Sequence, residues 1–329
     1  MKHDLRITIL LVLLFLISQI AGLGVLTYNV ETISVNQSID NESSIIVVYE
    51  ETAAGPRPEV EGWGSLVYII VAVALGTLLI LGLIKLKAGG FIWKAWYFLA
   101  VTIAITVSTG VFIPALFALI LGVILAFLKI RFKNPIVHNL TEVLMYAGIA
   151  LLIVPLFTVF WAVILLILIS IYDIYAVWKS KHMIKLANFT TEQKLFPGLA
   201  ISYDSKNKSE KISKLKNKKL LKNKNLSERK KSSLKIKSKK STKRLAILGG
   251  GDIIFPLIFT GTILNYLLSK GFEKLSALGL SLIVTLVTAL AVYLLLYYAK
   301  KDKFYPAMPF VSAGCFTGLG LLYLILLIL

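Results

Sequence analysis

The chain has 329 residues, of which 57% are hydrophobic and 16% are charged. Soluble domains average about 45–50% apolar and about 25% charged residues. This composition excludes a soluble enzyme, a disordered protein and a secreted disulfide scaffold, and it indicates a polytopic membrane protein. The single cysteine, Cys315, cannot form an internal disulfide and therefore says little about the redox compartment.

The formal net charge of +19 comes almost entirely from one loop. Residues 179–244 hold 22 basic and 4 acidic residues, which leaves 14 basic and 13 acidic residues for the rest of the chain. Within this loop, residues 205–244 are rich in Lys, Ser and Asn, which predicts a disordered, solvated segment. It is either a plain linker or a contact for anionic lipid headgroups. Nucleic-acid binding is not expected, because no aromatic residues are interleaved with the basic ones.

Nine apolar segments are long enough, at about 20 residues each, to cross a bilayer as helices. They are residues 5–26, 65–86, 91–109, 112–130, 139–157, 159–178, 245–268, 274–299 and 306–328. The first could be a signal peptide, but its apolar run exceeds the usual core of about 7–15 residues, which favours a retained helix. The fifth and sixth segments are separated by little more than Pro155.

The distribution of basic residues predicts the orientation, because Lys and Arg mark the cytoplasmic side. They occur at the N-terminus, in the second, fourth and last connections and in the 179–244 loop, whereas residues 27–62 are strongly acidic. The short stretch Lys270–Lys274 runs mildly against this pattern. We therefore expect an integral protein of the cell membrane with its N-terminus and the 179–244 loop cytoplasmic. The acidic loop 27–62 and the C-terminus are expected outside.

Two aspartates lie well inside the predicted spans. Asp173 precedes the end of the sixth helix by about 9 Å of helix rise, and Asp252 follows the start of the seventh by about 12 Å if that stretch is helical. The two carboxylates are thus expected at similar depth on the cytoplasmic side. Ionisable residues inside spans are costly and are functional candidates. Glu142 lies closer to a helix end, from which it can reach the interface.

A pair of carboxylates at one depth has three interpretations. In aspartyl hydrolysis the two groups share a proton, so that one deprotonates a water and the other polarises the scissile carbonyl. The acids could instead form an ion or proton pathway, or they could be structural acids that stay protonated. Depth alone leaves these alternatives open.

Three short motifs flank the two acids. Asp173 follows Tyr172, Asp252 ends the run Gly249-Gly250-Gly251-Asp252, and the last predicted helix opens with Pro306-Ala307-Met308-Pro309. These resemble the Tyr-Asp, Gly-x-Gly-Asp and Pro-Ala-Leu motifs of the presenilin and signal peptide peptidase family of intramembrane aspartyl proteases, most closely its archaeal presenilin-like members. Gly-x-Gly-Asp alone is a weak signal, but three motifs in order and at one depth are specific. Met308 replaces the family's leucine with a side chain of similar volume.

The resemblance implies an all-α polytopic membrane protein with nine transmembrane helices in a presenilin-like bundle. The predicted domains are an N-terminal six-helix half (1–178), the basic loop (179–244) and a C-terminal three-helix half (245–329). The resemblance also implies that Asp173 and Asp252 are the catalytic pair. It implies substrate-binding roles for Gly249, Gly250, Gly251, Pro306, Ala307, Met308 and Tyr172.

The activity implied is that of an intramembrane aspartyl endopeptidase, which cuts transmembrane helices or signal-peptide remnants with a water activated by two aspartates. No cofactor and no metal is implied. A channel, a proton-coupled transporter and a catalytically silent homologue remain alternatives. The histidines His3, His138 and His182 fall outside the predicted spans, which argues against a zinc protease or a rhomboid-type serine protease.

The residues near Asp252 also carry expectations about local structure. Each glycine costs about 1 kcal/mol in a helix relative to alanine, so the run 249–251 predicts a loosened helix that another backbone can approach closely. By family resemblance, Lys243–Leu248 is a plausible edge to which an unwound substrate adds as a strand. The apolar stretch Leu195–Ile201 is expected near the site.

A second copy of the proline motif occurs at Pro114-Ala115-Leu116 and matches the family more literally than the copy at residue 306. In the predicted topology Pro114 lies at the outer end of the fourth helix, most of a core of about 30 Å away from the aspartates. The copy at Pro306 is therefore expected to be the functional one.

Overall fold

A computed structural model describes residues 5–36, 43–85, 89–132, 134–179, 197–204, 243–299 and 305–328. Most of the basic loop lies outside these residues. The disorder predicted for 205–244 and the lipid contact predicted for the loop therefore remain predictions. The division of the chain at residues 178 and 244 likewise remains a prediction.

Nine α-helices form the body of the described chain. They are α1 (Leu5–Asn29), α2 (Trp63–Lys85), α3 (Gly89–Thr109), α4 (Ala115–Arg131), α5 (Pro135–Ile153), α6 (Val159–Ile174), α7 (Gly251–Ser269), α8 (Lys274–Tyr298) and α9 (Met308–Leu326). Eight are long and apolar enough to cross a membrane, α6 together with the helical turn that continues it to Lys179. The exception, α4, has 17 residues, about 25 Å, which is the lower limit for a span. The predicted helical membrane protein is confirmed.

Two antiparallel strand pairs add to the helical body. In the acidic loop, β1 (Val30–Asn36) pairs with β2 (Ser43–Tyr49), with Val30 opposite Tyr49. Nearer the aspartates, β3 (Gly198–Asp204) pairs with β4 (Lys243–Gly249), with Gly198 opposite Gly249. Hydropathy revealed neither pair, and it made the apolar β4 look like the start of the seventh span.

The second strand pair corrects the predicted seventh span. Residues 245–249 were expected to be helical, but they belong to β4, and the helix begins only at Gly251. The strand forms because β3, which is distant in sequence, provides its hydrogen-bonding partner. The plausible edge at Lys243–Leu248 is accordingly a strand, and the apolar Leu199 and Ala200 of the preceding loop are buried in β3.

The break between α5 and α6 follows from Pro155. The residues Val154–Leu156 form a single 3-10 turn, and α6 begins at Val159. Proline has no N–H to continue the helix, so the carbonyl of Leu151, four residues earlier, loses its helical partner. That carbonyl is instead paired from outside the helix.

Arg57 supplies the missing donor and fastens the loop that contains β1 and β2 to the bundle. Its Nε donates to the Leu151 carbonyl at 3.1 Å, Nη1 to the Glu50 carbonyl at 2.7 Å and Nη2 to Asn29 Oδ1 at 3.1 Å. The guanidinium also lies over the Tyr49 ring, 5.4 Å from its centroid.

Tyr49 forms a second link between this loop and the bundle. Burial raises the pKa of its phenol above the ordinary value, so the group stays protonated. The hydroxyl donates to Asn265 Oδ1 on α7. The planar fork of Arg57 and the hydroxyl of Tyr49 thus tie three parts of the chain together.

Replacing Arg57 should destabilise the protein measurably. Arg57→Met leaves the Leu151 carbonyl without its donor, and the free energy of unfolding should fall by about 1–3 kcal/mol. Arg57→Lys should recover only part of the loss, because an ammonium cannot reproduce the fork. Thermal unfolding in detergent is the measurement. Arg6→Met, at an exposed arginine of α1, is the control. Equal melting midpoints for Arg57→Met and Arg6→Met would contradict this account.

Candidate active site

Asp173 lies at the end of α6, immediately before a π-helical turn at Tyr175–Lys179. Its side chain is buried, with 6% of the residue exposed, and its Oδ2 accepts a hydrogen bond from the Met308 amide at 3.1 Å. The Ala307 amide also acts on this carboxylate. Single π-turns are frequent at functional sites, because they shift the following side chains out of helical register.

The Met308 amide is available because α9 begins there. The first amides of a helix have no partner within it, and a carboxylate near them is favoured by the helix dipole. Pro309 lies in the first turn, where its missing N–H costs nothing. Pro306 is buried just before the helix. The structure therefore brings the amides of Ala307 and Met308 to Asp173, and Pro306 precedes the helix instead of opening it.

Asp252 is the second residue of α7 and follows the glycine run. The strand β4 ends at Gly249, Gly250 caps the helix, and the Gly250 amide donates to the Pro197 carbonyl at 3.3 Å as the last bond of the strand pair. The glycines thus form a junction between a strand and a helix, and the predicted loosened helix is wrong. The reason is again the long-range partner strand.

Close contacts explain why glycine is needed at this junction. A Cβ atom at Gly249 would lie 3.1 Å from Asp252 Oδ2, and one at Gly250 would lie 3.0 Å from the Tyr146 hydroxyl oxygen. Opposite them, Gly198 has φ +150°, and its Cβ would lie only 2.4 Å from the Leu248 carbonyl oxygen. Gly251 is different, since its nearest neighbour, the Phe255 ring, would be 3.7 Å away.

The carboxyl groups of Asp173 and Asp252 lie near enough for a charge on Asp173 to act on Asp252. Among the residues that the structure describes, neither carboxylate lies within salt-bridge distance of a Lys, Arg or His. Two carboxyl groups that interact without a cation cannot both ionise cheaply, which favours sharing of one proton.

The relationship to known proteins agrees with this geometry. The family described as "Signal-peptide peptidase, presenilin aspartyl protease" matches residues 14–328, nearly the whole chain. The chain belongs to this family. Its members are intramembrane aspartyl proteases, which are hydrolases, and this one is accordingly an integral membrane protein. No curated protein matches the chain at a significant level.

Two solved structures of presenilin family intramembrane aspartate proteases share the fold of this family member. One, solved in space group C222, aligns with a TM-score of 0.51 at 16% identity over 94% of this chain and 92% of the other. Another, in space group P2, aligns with a TM-score of 0.55 at 17% identity over 96% of each chain. The predicted presenilin-like bundle is confirmed.

Tyr172 lies beside a groove on the other face of α6. The groove runs between α2 and α6 and holds a cavity of about 520 Å³ that is lined by Ile70, Leu78 and Leu168 as well as Tyr172. Of the eight spanning helices, α2 is the least buried. Tyr172 is therefore adjacent in sequence to Asp173 but belongs to a lipid-side opening, whereas Asp173 is directed towards α9.

The second proline motif lies elsewhere, as expected. Pro114 caps the start of α4, and Leu116 is 66% exposed. The opposite end of α4 carries Lys129, about 22 Å along the helix. That end is the one that approaches the aspartate region, through Glu142 of α5.

Glu142 and Lys129 are the residues that the sequence analysis misjudged. Glu142 was expected to reach the interface, and Lys129 was assigned to the cytoplasmic surface. Instead Lys129 Nζ and Glu142 Oε1 form an ion pair at 2.6 Å, with side chains 1% and 0% exposed. The available signal was one basic and one acidic residue on consecutive helices joined by a short turn, since such residues can meet across a helical hairpin.

Two further polar residues near the site also escaped prediction. The buried Gln19 of α1 donates from Nε2 to the carbonyl of Ile253, next to Asp252, at 2.8 Å. His138 was placed outside the spans but lies in the first turns of α5, where its ring contacts β3. An amide side chain in the middle of an apolar helix was the signal for Gln19.

Two alanine substitutions distinguish a glycine that the backbone requires, Gly198, from one that it does not require, Gly251. Gly198→Ala adds a Cβ at a positive φ and against a backbone oxygen, so the free energy of unfolding should fall by about 1–3 kcal/mol. Gly251→Ala places the same group on a helix at an ordinary contact distance from the Phe255 ring and should leave stability unchanged or raise it by up to about 1 kcal/mol. Thermal unfolding measures both. The account fails if the Gly198→Ala protein melts at or above the temperature of the Gly251→Ala protein.

Proposed function

We propose that this chain is an intramembrane aspartyl endopeptidase that hydrolyses peptide bonds within transmembrane helices or signal-peptide remnants. Asp173 and Asp252 are the catalytic pair. The observation that carries the proposal is the environment of these two acids. They interact with each other, hydrogen-bond to backbone amides at a helix start and a glycine junction, and have no basic partner among the described residues.

The chemistry follows from a shared proton. The ionised carboxylate takes a proton from a water as the water oxygen bonds to the scissile carbonyl carbon, and the protonated carboxyl donates to the carbonyl oxygen. Collapse of the resulting diol breaks the C–N bond. The amine leaves with the proton that came from the water, and one diol hydroxyl returns its proton to the other carboxylate. Because the two carboxyl groups share one proton, neither aspartate can begin hydrolysis without the other.

A substrate helix must unwind before its carbonyls can be reached, and the strand pair offers a template for the unwound chain. The free groups of Gly198 and Ala200 on β3 are already bonded to side chains of α5. The sheet has two strands, so its other edge is β4. Since residues alternate along a strand, the register directs the backbone groups of Leu245, Ile247 and Gly249 to that edge. A substrate segment added there would be extended and would lead towards Asp252.

The groove between α2 and α6 supports a route for the substrate from the bilayer. Its walls are apolar, as a transmembrane helix requires, and one wall ends at Tyr172, next to Asp173. The sparse packing of α2 against α6 means that little contact is lost when the two separate. Tyr172 and the residues Pro306–Met308 then border the site from opposite sides.

The basic connections support an orientation with the N-terminus and the 179–244 loop in the cytoplasm and the C-terminus outside. The aspartates would then lie towards the cytoplasmic leaflet. Anionic headgroups are a fitting partner for the loop, at about 1 kcal/mol per basic residue near the surface.

Both aspartates should be indispensable, and their losses should not add. Asp173→Asn and Asp252→Asn should each lower cleavage of a transmembrane peptide by at least about 10²–10⁴-fold, because each removes a protonation role. The double variant should lose no more than either single variant, as expected for groups that act together. Peptide cleavage in detergent, blocked by a transition-state-analogue aspartyl inhibitor in the wild type, is the measurement. Near wild-type cleavage by either single variant, at matched thermal stability, would refute the mechanism.

A proline at the open edge of β4 tests the strand template. Ile247→Pro removes an amide that points to the open edge while leaving the bonds between β3 and β4, and prolines are tolerated on edge strands. It should reduce kcat/KM by about tenfold or more. Ile247→Thr changes the same side chain, which is 40% exposed, but keeps the amide, so it should cleave normally. Equal kinetics for the two variants would exclude pairing of the substrate at this edge.

A further inference from the structure

We propose that Glu142 is a positioning residue that sets the register of the strand pair relative to Asp252, with Lys129 present to make the buried carboxylate tolerable. This inference rests on the proposed function and extends it, because it assigns a role to polar residues 110 and more positions away from Asp252 in sequence. It is supported by the set of hydrogen bonds that connect the ion pair to β3.

Every N–H of the Lys129 ammonium has a hydrogen-bond acceptor. Lys129 Nζ donates to Glu142 Oε1 at 2.6 Å, to Thr141 Oγ1 at 3.0 Å and to the His138 carbonyl at 3.5 Å. The Tyr97 hydroxyl donates to the same Glu142 oxygen at 3.2 Å. Burying two charges is expensive, and an apolar pair of similar volume would often be no less stable. The ion pair therefore calls for a reason other than stability.

That reason lies in the second carboxylate oxygen. Glu142 Oε2 accepts a hydrogen bond from the Gly198 amide at 3.1 Å, at the first residue of β3. An oxygen of a charged carboxylate is a strong acceptor for a backbone amide, and it is held in place because its partner oxygen is fixed by Lys129 and Tyr97.

Two neighbours of Glu142 extend this anchor along the strand. His138 Nε2 donates to the Gly198 carbonyl at 2.8 Å. Asn139 donates from Nδ2 to the Ala200 carbonyl and accepts from the Ala200 amide, both at 2.9 Å. Side chains in the first turns of α5 thus bond to the edge of β3 where a third strand would otherwise pair. They fix the position of β3 at Gly198 and Ala200.

The anchored end of β3 is the end that meets the candidate active site. Gly198 is the register partner of Gly249, and the Gly250 amide bonds to Pro197. Gly249 in turn lies so close to Asp252 that a single added carbon would be 3.1 Å from its Oδ2. A displacement of β3 along α5 would therefore be passed on, through one ladder of hydrogen bonds, to the backbone beside Asp252 and to the edge of β4.

Two double variants separate this role from a contribution to stability alone. Lys129→Met with Glu142→Gln removes both charges but keeps an amide oxygen that can accept from Gly198. Lys129→Met with Glu142→Leu removes both charges and the acceptor. Neither leaves an unpaired charge in the core, so both are designed to fold. Asn139→Leu, at a half-buried residue, removes the next anchor and serves if the leucine double variant does not fold.

The readouts are peptide cleavage and the positions of the cut bonds, determined by mass spectrometry of the products. The glutamine double variant should cleave within about threefold of the wild type and at the same bonds. The leucine double variant, or Asn139→Leu, should lose tenfold or more in kcat and should cut at shifted or additional bonds. Equal rates and identical cut sites for the two double variants would overturn the inference while leaving the proposed function intact.

Amide hydrogen exchange gives a readout that needs no substrate. The peptide that covers β3 should exchange at least tenfold faster in the leucine double variant than in the glutamine double variant. Peptides from α8, which lies away from the anchor, should exchange equally in both. Unchanged exchange in β3 would overturn the inference even if no cleavage were found for the wild type, and that lack of cleavage would separately count against the proposed function.

Discussion

The constraint on which this architecture depends is that no backbone polar group can stay unpaired inside an apolar bundle. The nine described helices meet it internally except at their ends, but the strand pair beside Asp252 cannot, since each strand has two edges. Side chains at the start of α5 satisfy one edge of β3. The consequence is a two-stranded sheet whose β3 edge is closed by α5, and the β4 edge is the one at which the proposed substrate would be held extended.

The same constraint explains where the acids lie. Asp173 is at the end of α6 and Asp252 at the start of α7, where helices leave amides and carbonyls without internal partners. Amides of α9 and of the glycine junction meet the carboxylates there. Interrupted helices thus supply polar groups in a bundle that is otherwise apolar, as the proposed hydrolysis requires. The loop that contains β1 and β2 follows the same rule, since Arg57 pairs with the carbonyl that Pro155 releases.

Sequence patterns predicted the helices well and the polar contacts poorly. Hydropathy located the spans to within a few residues, apart from the seventh, where β4 replaced the expected first turns. The strand was invisible locally because its stability comes from β3, a partner about 45 residues earlier. Glu142 was misjudged for a similar reason. Its distance from a helix end suggested access to water, but Lys129, Tyr97 and Gly198 enclose it from three different elements.

By itself the sequence determined the membrane class, the order of the helices and the family, because apolar length and short motifs are properties of contiguous residues. It also singled out Asp173, Asp252 and Pro306–Met308, since acids and prolines inside spans are costly enough to stand out. Only the tertiary structure decided that Met308 donates to Asp173, that Gly250 ends a strand pair, and that α5 closes one edge of that pair. These are contacts between distant segments, and their geometry depends on packing that no local pattern records.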